Sequence, residues 1–203
     1  MVKVVLILDE SGSMGSVKES ILKSVNEFID KQKIGIKGKE EDTFSLIKFS
    51  DVIPQPIPID NKPMNLVRHI VEYNPSGGTA LFDAIGFGIE RFKKKNRVIM
   101  VVVTDGQENS SQKYKTRTEI QKLIVKQKTE KQWTFIYLST DIDTFIEANA
   151  IGIVSQDSCQ RQSKTHNITK NQKDIGDYLC KQVSDGVYKC RTEGNKGGCS
   201  FSS

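Results

Sequence analysis

Two hydrophobic periods alternate along the chain. Residues 2–8 and 97–104 are short Val- and Ile-rich runs, apolar on successive positions, which predicts strands buried on both faces. Between them, Val17, Ile21, Leu22, Val25, Phe28 and Ile29 recur at helical spacing behind a Ser16/Glu19 capping box, up to the breaker Gly35-Ile36-Lys37-Gly38. Ala80, Leu81, Ala84, Ile85, Gly88, Ile89 and Phe92 make a second helical stripe after Ser76-Gly77-Gly78-Thr79. Ile120, Leu123 and Ile124 make a third behind Thr116 and Glu119. Strands are predicted at 43–49 and 132–139 as well. Alternation of this kind implies an α/β fold with a mostly parallel, doubly covered sheet.

Several elements depart from the simple alternation. Residues 52–59 follow the 43–49 strand across only Ser50-Asp51, which predicts a hairpin, and Pro54, Pro56 and Pro58 push that strand to an antiparallel sheet edge. Residues 65–73 are expected to form a short helix ended by Asn74-Pro75. Further on, the pattern gives a short helix at 143–150, a last edge strand at 151–154 and a terminal helix at 168–183 with Ile175, Leu179 and Val183 on one side. The last stretch is rich in Gly, Ser, Lys and Cys, so one domain over 1–184 is expected with a loosely ordered tail over 185–203.

Composition narrows the class. A chain of 203 residues with 36 % hydrophobic and 27 % charged residues can bury a sizeable core and is not a disordered polymer. Its longest apolar runs, 4–8 and 98–103, fall far short of the roughly 20 residues a membrane-crossing helix needs. The few apolar residues before Asp9 are too short for a secretory signal, and an intracellular, cytoplasmic protein is expected. Cys159, Cys180, Cys190 and Cys199 show no C-x-x-C or paired-His spacing, so they are read as thiols without an assigned role.

Candidate chemistry collects at strand ends. Asp9-Glu10-Ser11-Gly12-Ser13 follows the first strand and Thr104-Asp105-Gly106 follows the strand at 97–104, and in an open doubly wound sheet such carboxyl ends form the ligand crevice. Thr79, after Gly77-Gly78, is a third contributor. Asp9, Asp105, Ser11, Ser13 and Thr79 offer only hard oxygen donors, which suits Mg²⁺ or Mn²⁺ and argues against zinc, copper or iron–sulfur clusters. Ligands that are mostly neutral hydroxyls leave a cation electrophilic enough to accept a carboxylate from another molecule.

Asp9-x-Ser11-x-Ser13, the distant Thr79 after Gly-Gly, and Thr104-Asp105-Gly106 together resemble the metal-ion-dependent adhesion site (MIDAS) of von Willebrand factor type A domains, and the element order resembles that family over residues 2–183. The resemblance implies a doubly wound, Rossmann-like, six-stranded sheet of order 3-2-1-4-5-6 with strand 3 antiparallel and helices on both faces. It also implies that Ser11, Ser13 and Thr79 ligate Mg²⁺, with Mn²⁺ or Ca²⁺ as substitutes, while Asp9 and Asp105 bind it directly or through water. A protein ligand would then complete the shell with an Asp or Glu carboxylate, across a rim that includes Glu10, Gly78, Gln107 and Glu108. The function so implied is non-enzymatic, Mg²⁺-dependent protein binding by a short single-domain adaptor, with a phage, viral or bacterial source expected.

Two other functions compete. Residues 91–133 carry 12 Lys and Arg against 4 Asp and Glu, within a chain of net charge +5, so Lys93, Lys94, Lys95, Lys113, Lys115, Arg117, Lys122, Lys126, Lys128 and Lys131 could form a basic face for nucleic acid. A carboxylate after the first strand also suits a metal-dependent phosphohydrolase. Phosphatases of the haloacid dehalogenase type use Asp-x-Asp there with the second Asp as general acid, and position 11 is Ser. There is also no G-x-x-x-x-G-K-[ST] phosphate loop and no G-x-S-x-G elbow.

Overall fold

The computed structural model describes residues 1–34, 42–138, 150–153 and 158–159. The expected helices at 143–150 and 168–183 and the tail over 185–203 lie outside the described residues, apart from Ala150.

Strand β1 (Lys3–Asp9) runs down the middle of the sheet with every residue buried. It pairs in parallel with β2 (Thr43–Phe49) on one side and β4 (Val98–Val103) on the other. Beyond β2 lies β3 (Ile59–Pro63), antiparallel, and beyond β4 lies β5 (Thr134–Leu138), parallel. A two-residue strand, β6 (Ser158–Cys159), adds to β5, giving the order β3-β2-β1-β4-β5-β6. The sheet is therefore mostly parallel, and five strands carry nearly all of it.

Period-2 alternation splits the sheet's side chains between two cores. Val4, Leu6 and Leu8 of β1 join Ile99, Val101 and Val103 of β4 under helix α1 (Lys18–Ile34), whose Ile21, Val25, Phe28 and Ile29 face them. Val5 and Ile7 join Met100 and Val102 on the other face, under α2 (Leu81–Phe92) and α3 (Arg117–Lys131). Covering both faces explains why central strands read as continuous apolar runs, and each fully buried aliphatic side chain contributes about 1.5–3 kcal/mol. No helix among the described residues is long and apolar enough to cross a membrane.

Four expectations are corrected. The run 52–58 is a connection and not a strand, because its three prolines lack the N–H a ladder requires; β3 begins only at Ile59 and pairs antiparallel at the edge. Residues 64–66 form one turn of 3-10 helix, Val67 is extended (φ −69°, ψ 129°), and 68–73 form no helix or strand. There Val67, Ile70 and Tyr73 are buried, and the Asn26 side chain both accepts from Ile70 N–H (2.7 Å) and donates to Ile70 C=O (2.9 Å), so a tertiary bond replaces the helical one. Ser16 sits inside a 3-10 turn, Gly12–Val17, where its hydroxyl donates to Ser13 C=O (3.2 Å) and cannot cap α1. Ile151 and Ile153 are buried beside a turn at Gly152 (φ +83°), and the edge strand comes later, at Ser158. The capping box of α3 is present as expected, with Glu119 N–H donating to Thr116 and the Glu119 carboxylate accepting from Thr116 N–H (3.0 Å).

Lys3 carries a pH dependence. Burial, with its Nζ over the Phe92 ring, pulls its ammonium from 10.5 down to about 8; the Asp60 carboxylate opposes this, and Lys95 and Arg91 add to it. The folded state thus binds fewer protons than the unfolded chain between those limits, so Lys3 destabilises the domain below about pH 8 and this penalty fades as pH rises toward 10.5. Urea unfolding at both ends of that range should show Lys3→Met more stable than wild type at neutral pH, with the gap closing at high pH. A gap that did not change with pH would contradict the assignment.

Candidate functional site

Chain direction reverses beside β1: α1 carries the chain outward to β2, and α2 returns it across β1 to β4. The crevice outside the carboxyl ends of β1 and β4 is therefore the topological switch point, and Asp9 and Thr104 stand at its two walls.

Asp9 is fully buried. Its Oδ1 accepts from Ser11 N–H at 2.7 Å and its Oδ2 from the Thr104 hydroxyl. Burial pushes its carboxyl above the usual range; the hydrogen bonds from Thr104 and Ser11 pull it back, and the neighbouring Asp105 carboxylate adds to the rise. A desolvated carboxylate beside a second one is the electrostatic setting in which a cation is stabilising.

The other predicted donors converge on it. After Asp9 the chain turns into the 3-10 segment, which brings Ser11 Oγ to 3.1 Å from Ser13 Oγ; Ser13 in turn donates to Asp105 Oδ1 at 2.7 Å. Gly12 N–H donates to Gly77 C=O (3.0 Å), tying the first loop to the Gly-Gly turn that delivers Thr79. A Cβ on Gly106 would lie 2.9 Å from Thr79 Oγ1 and 3.5 Å from Ser13 Oγ, so both hydroxyls crowd one backbone position that only glycine leaves open. Three hydroxyls and two carboxylates from three remote segments thus line one crevice. Among the described residues there is no group of three or more His, Cys, Asp and Glu placed to hold a metal ion.

The four rim residues differ in what they do. Glu10 is spent internally: its carboxylate pairs with Lys48 Nζ at 2.9 Å and accepts from Asn74 N–H at 3.1 Å. Glu108 is also engaged, accepting from Phe82 N–H (2.8 Å), Ser110 N–H (2.9 Å) and both the amide and the hydroxyl of Ser111 (2.7 Å each), so it caps the amino end of α2. Gly78 has no room for a side chain, since a Cβ would sit 2.1 Å from Ser110 Oγ. Gln107 is exposed beside Asp105.

Sequence reading does not find Tyr73 or Lys48. Tyr73 is buried in the core on the α1 side of the sheet and donates to the carbonyl of Asp9 at 2.6 Å, at the end of a segment that is not helical. Burial and the nearby Asp9, Glu10 and Asp105 carboxylates push its phenol far up, so it remains a donor. Tyr73→Phe should lower stability by about 1–3 kcal/mol by orphaning that buried carbonyl. Chemical denaturation checks this, and an unchanged midpoint would show that the bond contributes nothing.

The basic stretch is divided between several places. Lys93–Lys95 follow α2 and precede β4, and Trp133 Nε1 donates to Lys95 C=O (2.9 Å) at the start of β5, so these lysines stand at the amino ends of the strands, opposite the crevice. Lys113 is tied to Glu90 at 2.7 Å, which raises its ammonium above the usual range.

Residues 3–172 match the family model described as the von Willebrand factor type A domain. No curated protein matches the chain by sequence. Among solved structures, the chain is similar to the PilB minor pilin from Streptococcus sanguinis, at 12% identity and TM-score 0.64, over 98% of this chain and 64% of that one. It is also similar to proximal thread matrix protein 1 from the mussel byssus with a zinc-occupied MIDAS motif, at 15% identity and TM-score 0.63, over 90% of this chain and 48% of that one. A third is the von Willebrand factor type A structure from Catenulispora acidiphila, at 12% identity and TM-score 0.53, over 90% of this chain and 42% of that one. The chain spans less than two thirds of each of these proteins, and at such identities the likeness is one of fold.

Proposed function

As this chain belongs to the von Willebrand factor type A domain family, we propose that it is a non-enzymatic binding module whose crevice holds Mg²⁺ as an intact adhesion site and captures a protein carboxylate through it. The observation that supports this most is the convergence of Asp9, Ser11, Ser13, Thr79 and Asp105 at the switch point of the sheet. Their oxygens fit a small hard cation, with Mn²⁺ or Ca²⁺ as substitutes; zinc occupies the corresponding motif in the mussel protein, so divalent binding is within the reach of the fold. Two carboxylates only balance the charge of a divalent ion, and the hydroxyls add none, which leaves the metal able to accept an Asp or Glu from a partner.

Each residue has a distinct task in this reading. Asp9 holds the first loop through Ser11 N–H and would supply one negative charge to the ion; Ser11, Ser13 and Thr79 would supply neutral oxygens, and Asp105 the second charge. Gln107, exposed at the lip, would meet the partner. Against a phosphatase of the haloacid dehalogenase type, Ser11 stands where its second acid would be needed and is hydrogen-bonded to Ser13.

The test is capture of partners from host lysate on the tagged protein in Mg²⁺ and again in EDTA, with Asp9→Ala as control. Proteins retained only with Mg²⁺ and intact Asp9 support the reading. Retention that ignores both, or falls steeply with salt alone, would move the function to the basic residues of 91–133.

A further inference from the structure

Thr79 has an unusual backbone problem. It is buried, yet it lies two residues before the first residue of α2, and Ala80 between them is non-helical (φ −89°, ψ 60°) with no side-chain cap. Neither the helix nor the sheet ladder therefore satisfies its peptide groups, although a buried amide and carbonyl both require partners.

The segment after Asp105 supplies them. Asn109 Oδ1 accepts from Thr79 N–H at 2.8 Å, while Asn109 N–H and Ser110 N–H donate to Thr79 C=O at 3.0 and 3.2 Å. The Ser110 hydroxyl donates to Asn109 Oδ1 at 2.6 Å and holds that amide in its accepting orientation. A Cβ on Gly78 would fall 2.9 Å from Asn109 Oδ1 and closer still to Ser110, so glycine is needed for the segment to approach. Glu108, bonded to Phe82 N–H, anchors the same segment to α2 one turn further on.

We propose that Asn109 is a positioning residue of this site: it clasps Thr79 through both its N–H and its C=O and thereby sets where the Thr79 hydroxyl stands beside Gly106. The inference rests on the metal-binding reading above. It makes one continuous segment, 105–111, responsible both for a carboxylate and for the placement of a hydroxyl contributed by a different loop. Preorganised ligands lose less freedom when the ion arrives, so the clasp acts on affinity and not on the number of donors.

The experiment is calorimetric Mg²⁺ titration of the full chain for wild type, Asn109→Ala, Asn109→Asp, Ser111→Ala and Asp105→Ala, with amide exchange at Thr79 read in metal-free protein. Asn109→Ala should weaken Mg²⁺ binding by about 10- to 100-fold, and Asn109→Asp, which keeps the acceptor, should bind within about threefold of wild type or tighter. Ser111→Ala removes hydrogen bonds to Glu108 and Asp83 in the same segment, so it should lower thermal stability while leaving Mg²⁺ affinity and Thr79 exchange unchanged. Thr79 exchange should accelerate in Asn109→Ala alone. Wild-type affinity in Asn109→Ala, alongside its loss in Asp105→Ala, would overturn the clasp and leave the metal site standing; no Mg²⁺ uptake by wild type would overturn both.

Discussion

Asp105→Ala is expected to abolish Mg²⁺ binding while leaving the domain folded. Asp105 is half-buried in the loop after β4, and its bond from the exposed Ser13 hydroxyl contributes little to stability in that setting. In the proposed complex, by contrast, it supplies one of only two formal negative charges. A unit charge pair at ligand-like separation near a protein surface is worth about 4 kcal/mol, so its removal should weaken binding by about a thousandfold or more. Calorimetry with Mg²⁺ reads the loss, and circular dichroism verifies the fold. Thermal melts give a second readout: at a hundredfold excess over Kd, Mg²⁺ stabilises a one-site protein by about 2.7 kcal/mol, and this increment should be present in wild type and missing from the variant. An Asp105→Ala protein that binds and melts like wild type would remove the crevice from consideration as a metal site.

Gly86→Ala should strike the same site from a distance. Gly86 lies in α2 beneath the ring of Tyr114, and a Cβ there would come within 2.1 to 2.7 Å of three ring atoms. The ring cannot step aside cheaply: the Tyr114 amide donates to Asp83 Oδ1 (2.8 Å) and its hydroxyl to Glu90 Oε1 (2.6 Å). Asp83 also accepts from the amides of Gln112 (2.7 Å) and Lys113 (3.0 Å), so displacing Tyr114 pulls on the whole segment that follows Asp105. Overpacking of this kind costs about 1–3 kcal/mol. Mg²⁺ affinity should fall with it, because the strained segment includes the residues that hold Thr79. A double-mutant cycle with Tyr114→Ala isolates the clash: the penalty of Gly86→Ala should shrink markedly once the ring is gone. Additive effects of the two substitutions would show that the contact carries no strain.

Much of this was legible in the chain itself. The strands β1, β2, β4 and β5 and the helices α1, α2 and α3 follow from period and length, because burial on both faces forces continuous apolar runs and burial on one face forces a helical stripe. The capping box at Thr116 and Glu119 is purely local, and it is present. Elements whose shape depends on a remote partner were not legible. Residues 65–73 carry an apolar spacing compatible with a helix, yet Asn26 on α1 takes up the backbone of Ile70, and 67–73 are not helical. The edge strand after the prolines starts later than its apolar pattern suggests, since a proline-bearing run can be apolar without being able to pair.

The site divides in the same way. Residue types and spacing were sufficient to nominate Asp9, Ser11, Ser13, Thr79 and Asp105, because hydroxyls and carboxylates after strand ends in a doubly wound pattern have few other reasons to recur. Nothing local in the sequence could show that Glu108 and Glu10 face inward, that Tyr73 holds the carbonyl of Asp9, or that Asn109 brackets Thr79. Those facts depend on which backbone groups are left without partners once the sheet has formed. By itself, the sequence determined the periodicities and the donor chemistry; the tertiary structure alone decided which polar side chains remain at the crevice and which are consumed in satisfying buried amides and carbonyls, because hydrogen-bond demand arises only when distant segments exclude water together.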